Sequence, residues 1–176
     1  MKRYFIILFS LLLSTSANAQ QIQVPAGYQA IAYAYGIPSK IFFSIAMVES
    51  RKKIYSTKVM PWPWTLNVEG KAYRYTNRKQ AWVALSKFVA QKRIVDIGLM
   101  QVNWKYHKLK LKTTWDALDP FHNMRVSAQI LKSCYSRKKN WWVCVGDYHS
   151  PGRKPAQKAR AELYKKRVKE QYKRIS

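Results

Sequence analysis

FFSIAMVESRKK, residues 42–53, carries a carboxylate where an apolar helix face should carry none. Phe42, Ile45 and Glu49 fall at i, i+3 and i+7, so they share one side of a helix. Burial disfavours the ionised form of a carboxyl and raises its pKa, which is how a glutamic acid keeps its proton near neutral pH and serves as a general acid. A helix-end glutamate paired with Arg51 or a lysine has the same spacing, and this stretch alone leaves both readings open.

Working outward, Pro38 marks a helix start, and a helix is expected from Ser39 to about Arg51. The prolines of PWPWTLNVEGKAYRYT, residues 61–76, stop it. There Leu66, Val68, Ala72, Tyr73 and Tyr75 flank Glu69-Gly70 in a pattern that predicts a small β-hairpin. Asn77 caps a second expected helix over 78–92, with Ala81, Leu85, Phe88 and Val89 inward. A third covers 119–135, with Met124, Ser127, Ala128, Leu131, Cys134 and Tyr135 on one face. Asn140 caps a fourth, carrying Trp141, Val145 and Tyr148, which Pro151-Gly152 ends. A last, strongly basic helix packs Ala161, Tyr164 and Val168. The pattern predicts one mainly α domain with a small β-hairpin element, and no linker long enough to divide it.

Lys2 and Arg3, the apolar run Tyr4–Leu13 and the small residues Ala17-Asn18-Ala19 follow the order of a secretory signal peptide, with cleavage expected after Ala19. The domain is then 20–176, exported and monomeric. No later stretch approaches the roughly 18 apolar residues of a membrane span. Two of the 33 basic residues and none of the eight acidic ones fall in the leader, so the mature charge is about +23. Such an excess suits a polyanionic neighbourhood such as wall or headgroup phosphate, or simply a solvated basic face. Cys134 and Cys144 are expected to form a disulfide in an oxidising compartment; the alternative is two buried thiols. His107, His122 and His149 are too scattered for a metal site, and no cofactor is called for.

Most other acids have ordinary readings. Asp116 and Asp119 suit turns and caps, Glu162 and Glu170 face lysines, and Glu69 precedes a turn glycine, while Asp96 and Asp147 adjoin more informative segments. GLMQVNW, residues 98–104, supplies a tight turn at Gly98, an apolar wall at Met100, and amides at Gln101 and Asn103 that suit hydroxyl and N-acetyl groups. A buried turn with satisfied amides is the plainer reading of the same residues.

Glu-Ser closing an apolar helix, then Gly-Leu-Met-Gln-Val-Asn, then a helix with Tyr-His-Ser, resembles the lytic transglycosylases of the soluble-lytic-transglycosylase type over about Ile31 to Val168. Those enzymes share a lysozyme-like fold and cleave peptidoglycan. The resemblance implies Glu49 as the single catalytic acid, followed by Ser50. It implies Gly98, Leu99, Met100 and Gln101 as the glycan-binding turn, with Asn103 beside it, and Tyr148 as the tyrosine of the third motif. His149 stands where the family has asparagine. The long gap between Glu49 and Gly98, which holds Trp62 and Trp64, is similar to that of members associated with conjugation, type IV secretion or pilus machinery. The two tryptophans are candidate cleft aromatics or caps on the core.

The implied chemistry uses one carboxylate and no metal or nucleotide. Glu49 protonates the oxygen between N-acetylmuramic acid and N-acetylglucosamine, the muramyl N-acetyl group traps the positive charge, and the C6 hydroxyl closes a 1,6-anhydro ring. Gln101 and Met100 would hold the sugar, and Tyr148 would orient Glu49 or the acetyl group. The expected partners are peptidoglycan strands in the periplasm, with a secretion, conjugation or pilus apparatus nearby and no specific nucleic acid. Two other readings are a hydrolytic muramidase using Asp96 or Asp147 as second carboxylate, and a noncatalytic cationic protein that binds wall or other polyanions.

Overall fold

Side-chain caps set many of the boundaries in this fold. The computed structural model describes residues 22–55 and 58–176; the expected leader, 1–19, lies outside them. Helix α1 spans Ala26–Ala34 and α2 spans Ser39–Glu49. Strands β1 (Arg51–Lys53) and β2 (Val59–Pro61) pair antiparallel. Strands β3 (Thr65–Val68) and β4 (Lys71–Arg74) form the expected hairpin, turning through Glu69 and Gly70, both at positive φ as a two-residue turn requires.

The hairpin is half of a larger sheet. Strands β5 (Val95–Ile97) and β6 (Val102–Asn103) extend it to the order β4-β3-β5-β6, antiparallel throughout. Helix α3 (Arg78–Ala90) precedes β5, and α4 (Trp104–Leu111) and α5 (Thr114–Ala117) follow β6. Then come α6 (Pro120–Lys138), α7 (Trp141–His149) and α8 (Pro155–Arg174). Asn77, Asp119 and Asn140 each accept a backbone N–H of the helix they open, as their side chains allow.

The described chain is thus mainly α with a small antiparallel sheet, the class expected. Phe42, Phe43 and Ile45 of α2 are fully buried among Leu66, Ile97, Leu131, Val145 and Val168. α2 lies against α8, and α7 against both α6 and α8. Gly146 permits the last approach, since a Cβ there would already stand 3.4 Å from Ala161. The Cys134–Cys144 disulfide is present and ties α6 to α7, with Cα atoms 5.7 Å apart. No helix among the described residues is long and apolar enough to cross a membrane.

Candidate active site

Glu49 is the last residue of α2, where the helix delivers it out of the core and onto the face of α8. Its Oε1 accepts a hydrogen bond from the Tyr164 hydroxyl at 2.5 Å. Burial raises the Glu49 pKa from 4.5 to about 7, the Tyr164 bond pulls it down, the Asp96 charge pushes it up, and Arg167 pulls it down. The position at the carbonyl end of α2 is also a poor place for an anion. A carboxyl in this setting holds or releases a proton near neutrality, which a general acid and base must do.

The next residue fixes the acid to the turn. The buried Ser50 hydroxyl donates to the Leu99 carbonyl at 2.7 Å, and the Ser50 carbonyl accepts the Trp62 N–H at 3.1 Å. Gly98 sits at φ +80°, and a Cβ on it would meet the Asn123 amide at 2.7 Å, so both conformation and space demand glycine. Asn123, buried on α6, accepts the Met100 N–H and donates to the Ile97 and Ala117 carbonyls. It braces the turn from beneath.

The remaining predicted residues fall around this frame. Tyr148 donates to the Met100 carbonyl at 2.7 Å, while the hydroxyl on Glu49 belongs to Tyr164. Burial and the Glu49 charge drive both phenols' pKa values upward, so both remain donors. Met100 is fully buried, and its side chain belongs to the core. The Gln101 amide nitrogen donates to the Gly98 and Thr65 carbonyls. The Asn103 side chain is engaged at both ends, donating to Asp96 at 2.7 Å and capping α4. Asp96, raised by burial, stands near enough for its charge to act on both Glu49 and Tyr148. Asp147 lies elsewhere, 3.9 Å from the Cys134 sulfur.

Trp62 is half-buried, donates its indole N–H to the Tyr75 carbonyl, and meets Trp64 edge to face at 5.3 Å with Lys52 over its ring. Trp64 packs against the core, its buried indole nitrogen without a partner among the described residues. His149 lies flat on Tyr164, ring centroids 4.6 Å apart at an interplanar angle of 4°. His107 and His122 are on α4 and α6, apart from it in sequence and element.

Tyr164 and Asn123 belong to the candidate site by geometry, and sequence reasoning treated them as packing or passed over them. A signal for Tyr164 was available: a phenol on the buried stripe of an otherwise basic helix needs a hydrogen-bond partner. Asn123 offered the same signal, as an amide on the inner side of α6.

Comparison with protein families finds one whose description is Transglycosylase SLT domain, matching residues 28–172. Comparison with curated proteins finds no match, and neither does comparison with solved structures. The match begins within α1, ends within α8, and takes in Glu49, the Gly98 turn, Tyr148 and Tyr164. Because it covers far more than half of the chain, this protein belongs to the transglycosylase SLT family, whose members are lytic transglycosylases acting on peptidoglycan.

Proposed function

We propose that this protein is an exported peptidoglycan lytic transglycosylase that cuts the bond between N-acetylmuramic acid and N-acetylglucosamine with Glu49 as its acid and then its base. The observation that carries the reading is the Glu49 carboxyl, poised near pH 7 by burial and held by Tyr164 within reach of the Gly98 turn. The protonated carboxyl gives its proton to the bridging oxygen as the glycosidic bond breaks. The muramyl acetamido oxygen bonds to the anomeric carbon and takes up the positive charge. The C6 hydroxyl then displaces it, its proton returns to Glu49, and a 1,6-anhydro ring closes without water. The Glu49 proton balance over the cycle is zero.

In this reading Ser50 and Tyr148 hold the Leu99 and Met100 carbonyls in place, and the sugar lies against the Gln101 end of the turn, the part that is not buried. Trp62 stands beside Ser50, where a ring face suits a sugar. The leader-like first 19 residues support action in the periplasm, and the long insert between Glu49 and Gly98 supports local wall opening for a secretion or conjugation apparatus.

One observation favours a second reading, hydrolysis. Asp96 is a half-buried carboxylate near enough to act on Glu49, so it is a candidate second group for activating water. Purified sacculi incubated with wild-type protein and with Glu49→Gln, followed by mass analysis, test both. Anhydro-muramyl ends support transglycosylation and reducing ends support hydrolysis. Binding without cleavage by either protein leaves only a cationic wall-binding role.

A further inference from the structure

Helix α4 turns two large apolar side chains outward. At about 100° per residue, Trp104 and Leu111 share one side of the helix, and both pack against the core. Tyr106 and Leu109 fall on the opposite side and are 74% and 90% exposed. A single exposed leucine is ordinary. These two are three positions apart, so phenol and leucine stand side by side, about 4.5 Å apart along the axis.

Lysines bracket the pair. Lys105 falls on one flank and Lys110 on the other, with Lys108 and Lys112 beside them, and all four are exposed. Lys105 Nζ is 6.0 Å from the centre of the Tyr106 ring. The helix has no carboxylate, and none of the three ion pairs among the described residues uses these cations. Helix α8 holds more lysine, but Glu162 and Glu170 interrupt it and Leu163 is its one large exposed aliphatic side chain. Charge alone would suit any polyanion. A soluble polyanion, however, does nothing to take Leu109 out of water, whereas a bilayer with anionic headgroups offers phosphate and hydrocarbon side by side. Lysine stems can lie along such an interface while their ammonium groups stay at headgroup level, and tyrosine favours the boundary itself.

We propose that the outward face of α4 docks the protein on an anionic lipid bilayer, with Tyr106 and Leu109 entering the interface and the four lysines meeting headgroup phosphates. Two side chains and a few charges give reversible attachment, not a permanent anchor. The docking helix is tied to the candidate site. Asn103 caps α4 and donates to Asp96, whose charge acts on Glu49. If the transglycosylase reading holds, docking keeps cleavage to the strands that lie nearest the bilayer.

Cosedimentation of the whole protein with phosphatidylcholine vesicles, with and without phosphatidylglycerol, tests the proposal. Wild type should bind only the vesicles that contain phosphatidylglycerol. Tyr106→Ser/Leu109→Ser should weaken that binding about tenfold or more through lost apolar contact. Lys105→Gln/Lys110→Gln should weaken it about tenfold or more at low salt. Lys158→Gln/Lys166→Gln, which removes the same charge from α8, should change it by no more than about twofold. No preference for phosphatidylglycerol, an apolar variant that binds like wild type, or an α8 variant that loses as much as the α4 lysine variant would each overturn the proposal. So would binding to soluble polyphosphate without binding to vesicles, or lipid-free self-association that the α4 substitutions abolish, which would give this face to a second copy. Thermal midpoints report whether the variants fold, and Leu109→Ser alone, at a side chain 90% exposed, carries the apolar arm if the double variant unfolds early. None of these readouts needs strand cleavage, so the transglycosylase reading stands or falls apart from them.

Discussion

The Tyr164 hydroxyl stands 2.5 Å from Glu49 Oε1, across 115 positions of sequence, and it is the hydrogen bond that keeps a buried carboxyl from rising further in pKa. Tyr164→Phe removes that bond and retains the ring on which His149 stacks. The Glu49 pKa should then rise above about 7, carrying the alkaline limb of the turnover profile to higher pH. Loss of orientation should lower the plateau roughly 10–100-fold. A pH–rate profile of the variant checks both, and an unmoved limb would show that the phenol does not govern the acid.

Glu49→Gln should abolish strand cleavage while making the fold more stable at alkaline pH. The folded Glu49 holds its proton up to about pH 7, whereas an unfolded glutamate releases it near 4.5. The native state therefore binds the extra proton between those values, and stability falls as pH rises through that window. Glutamine carries no such cost, so its advantage should be near zero at pH 4 and on the order of 2–3 kcal/mol at pH 8. Urea unfolding of both proteins at the two pH values measures it.

What the sequence made legible was local. Asn77, Asp119 and Asn140 announce helix starts because a short polar side chain satisfies the N–H groups that a helix leaves open. Glu69-Gly70 announces its turn through backbone conformation. Glu49 stood out because its neighbours are apolar. The illegible parts depend on distance or brevity. Helix α4 shows no apolar stripe, since Tyr106 and Leu109 are exposed among lysines, and β5 and β6 are too short to alternate visibly. Tyr164 reaches Glu49 because α8 packs against α2, while Gly146 lets α7 lie close to the same helix, relations that no window of sequence contains.

Gly98→Ala should unfold more readily and lose activity together. The left-handed backbone costs a non-glycine residue about 1–2 kcal/mol, and the new methyl would meet the Asn123 amide at 2.7 Å. Displacing Asn123 frees the Met100 N–H and the Ile97 carbonyl that it satisfies, so the total should exceed about 2 kcal/mol. Thermal unfolding reports the loss. The same substitution at Gly70, where a Cβ meets nothing within 4 Å, should show the backbone cost alone.

Opening the Cys134–Cys144 disulfide by replacing both cysteines with serine should destabilise the α6–α7 corner without touching the acid. The crosslink spans ten positions, and loop closure of that length restricts the unfolded chain by roughly 2–3 kcal/mol. Tyr148 rides on α7, so its bond to the Met100 carbonyl should loosen as well. Denaturant midpoints with and without reductant should move for the wild type and stay fixed for the double serine variant.

Asp96→Asn distinguishes the two ways this site can finish its reaction. The Asp96 charge raises the Glu49 pKa, so its removal should lower that pKa and bring the alkaline limb of turnover to lower pH, opposite in sign to Tyr164→Phe. The asparagine still pairs with Asn103, so the turn into α4 should hold. If the C6 hydroxyl attacks, anhydro ends persist in the digest and only their pH dependence changes. If water attacks with Asp96 as its base, reducing ends should fall by about 10²-fold or more at every pH. Product mass analysis across pH 5 to 8 separates a shifted limb from a lost base, and a variant identical to wild type in both would remove Asp96 from the site's chemistry.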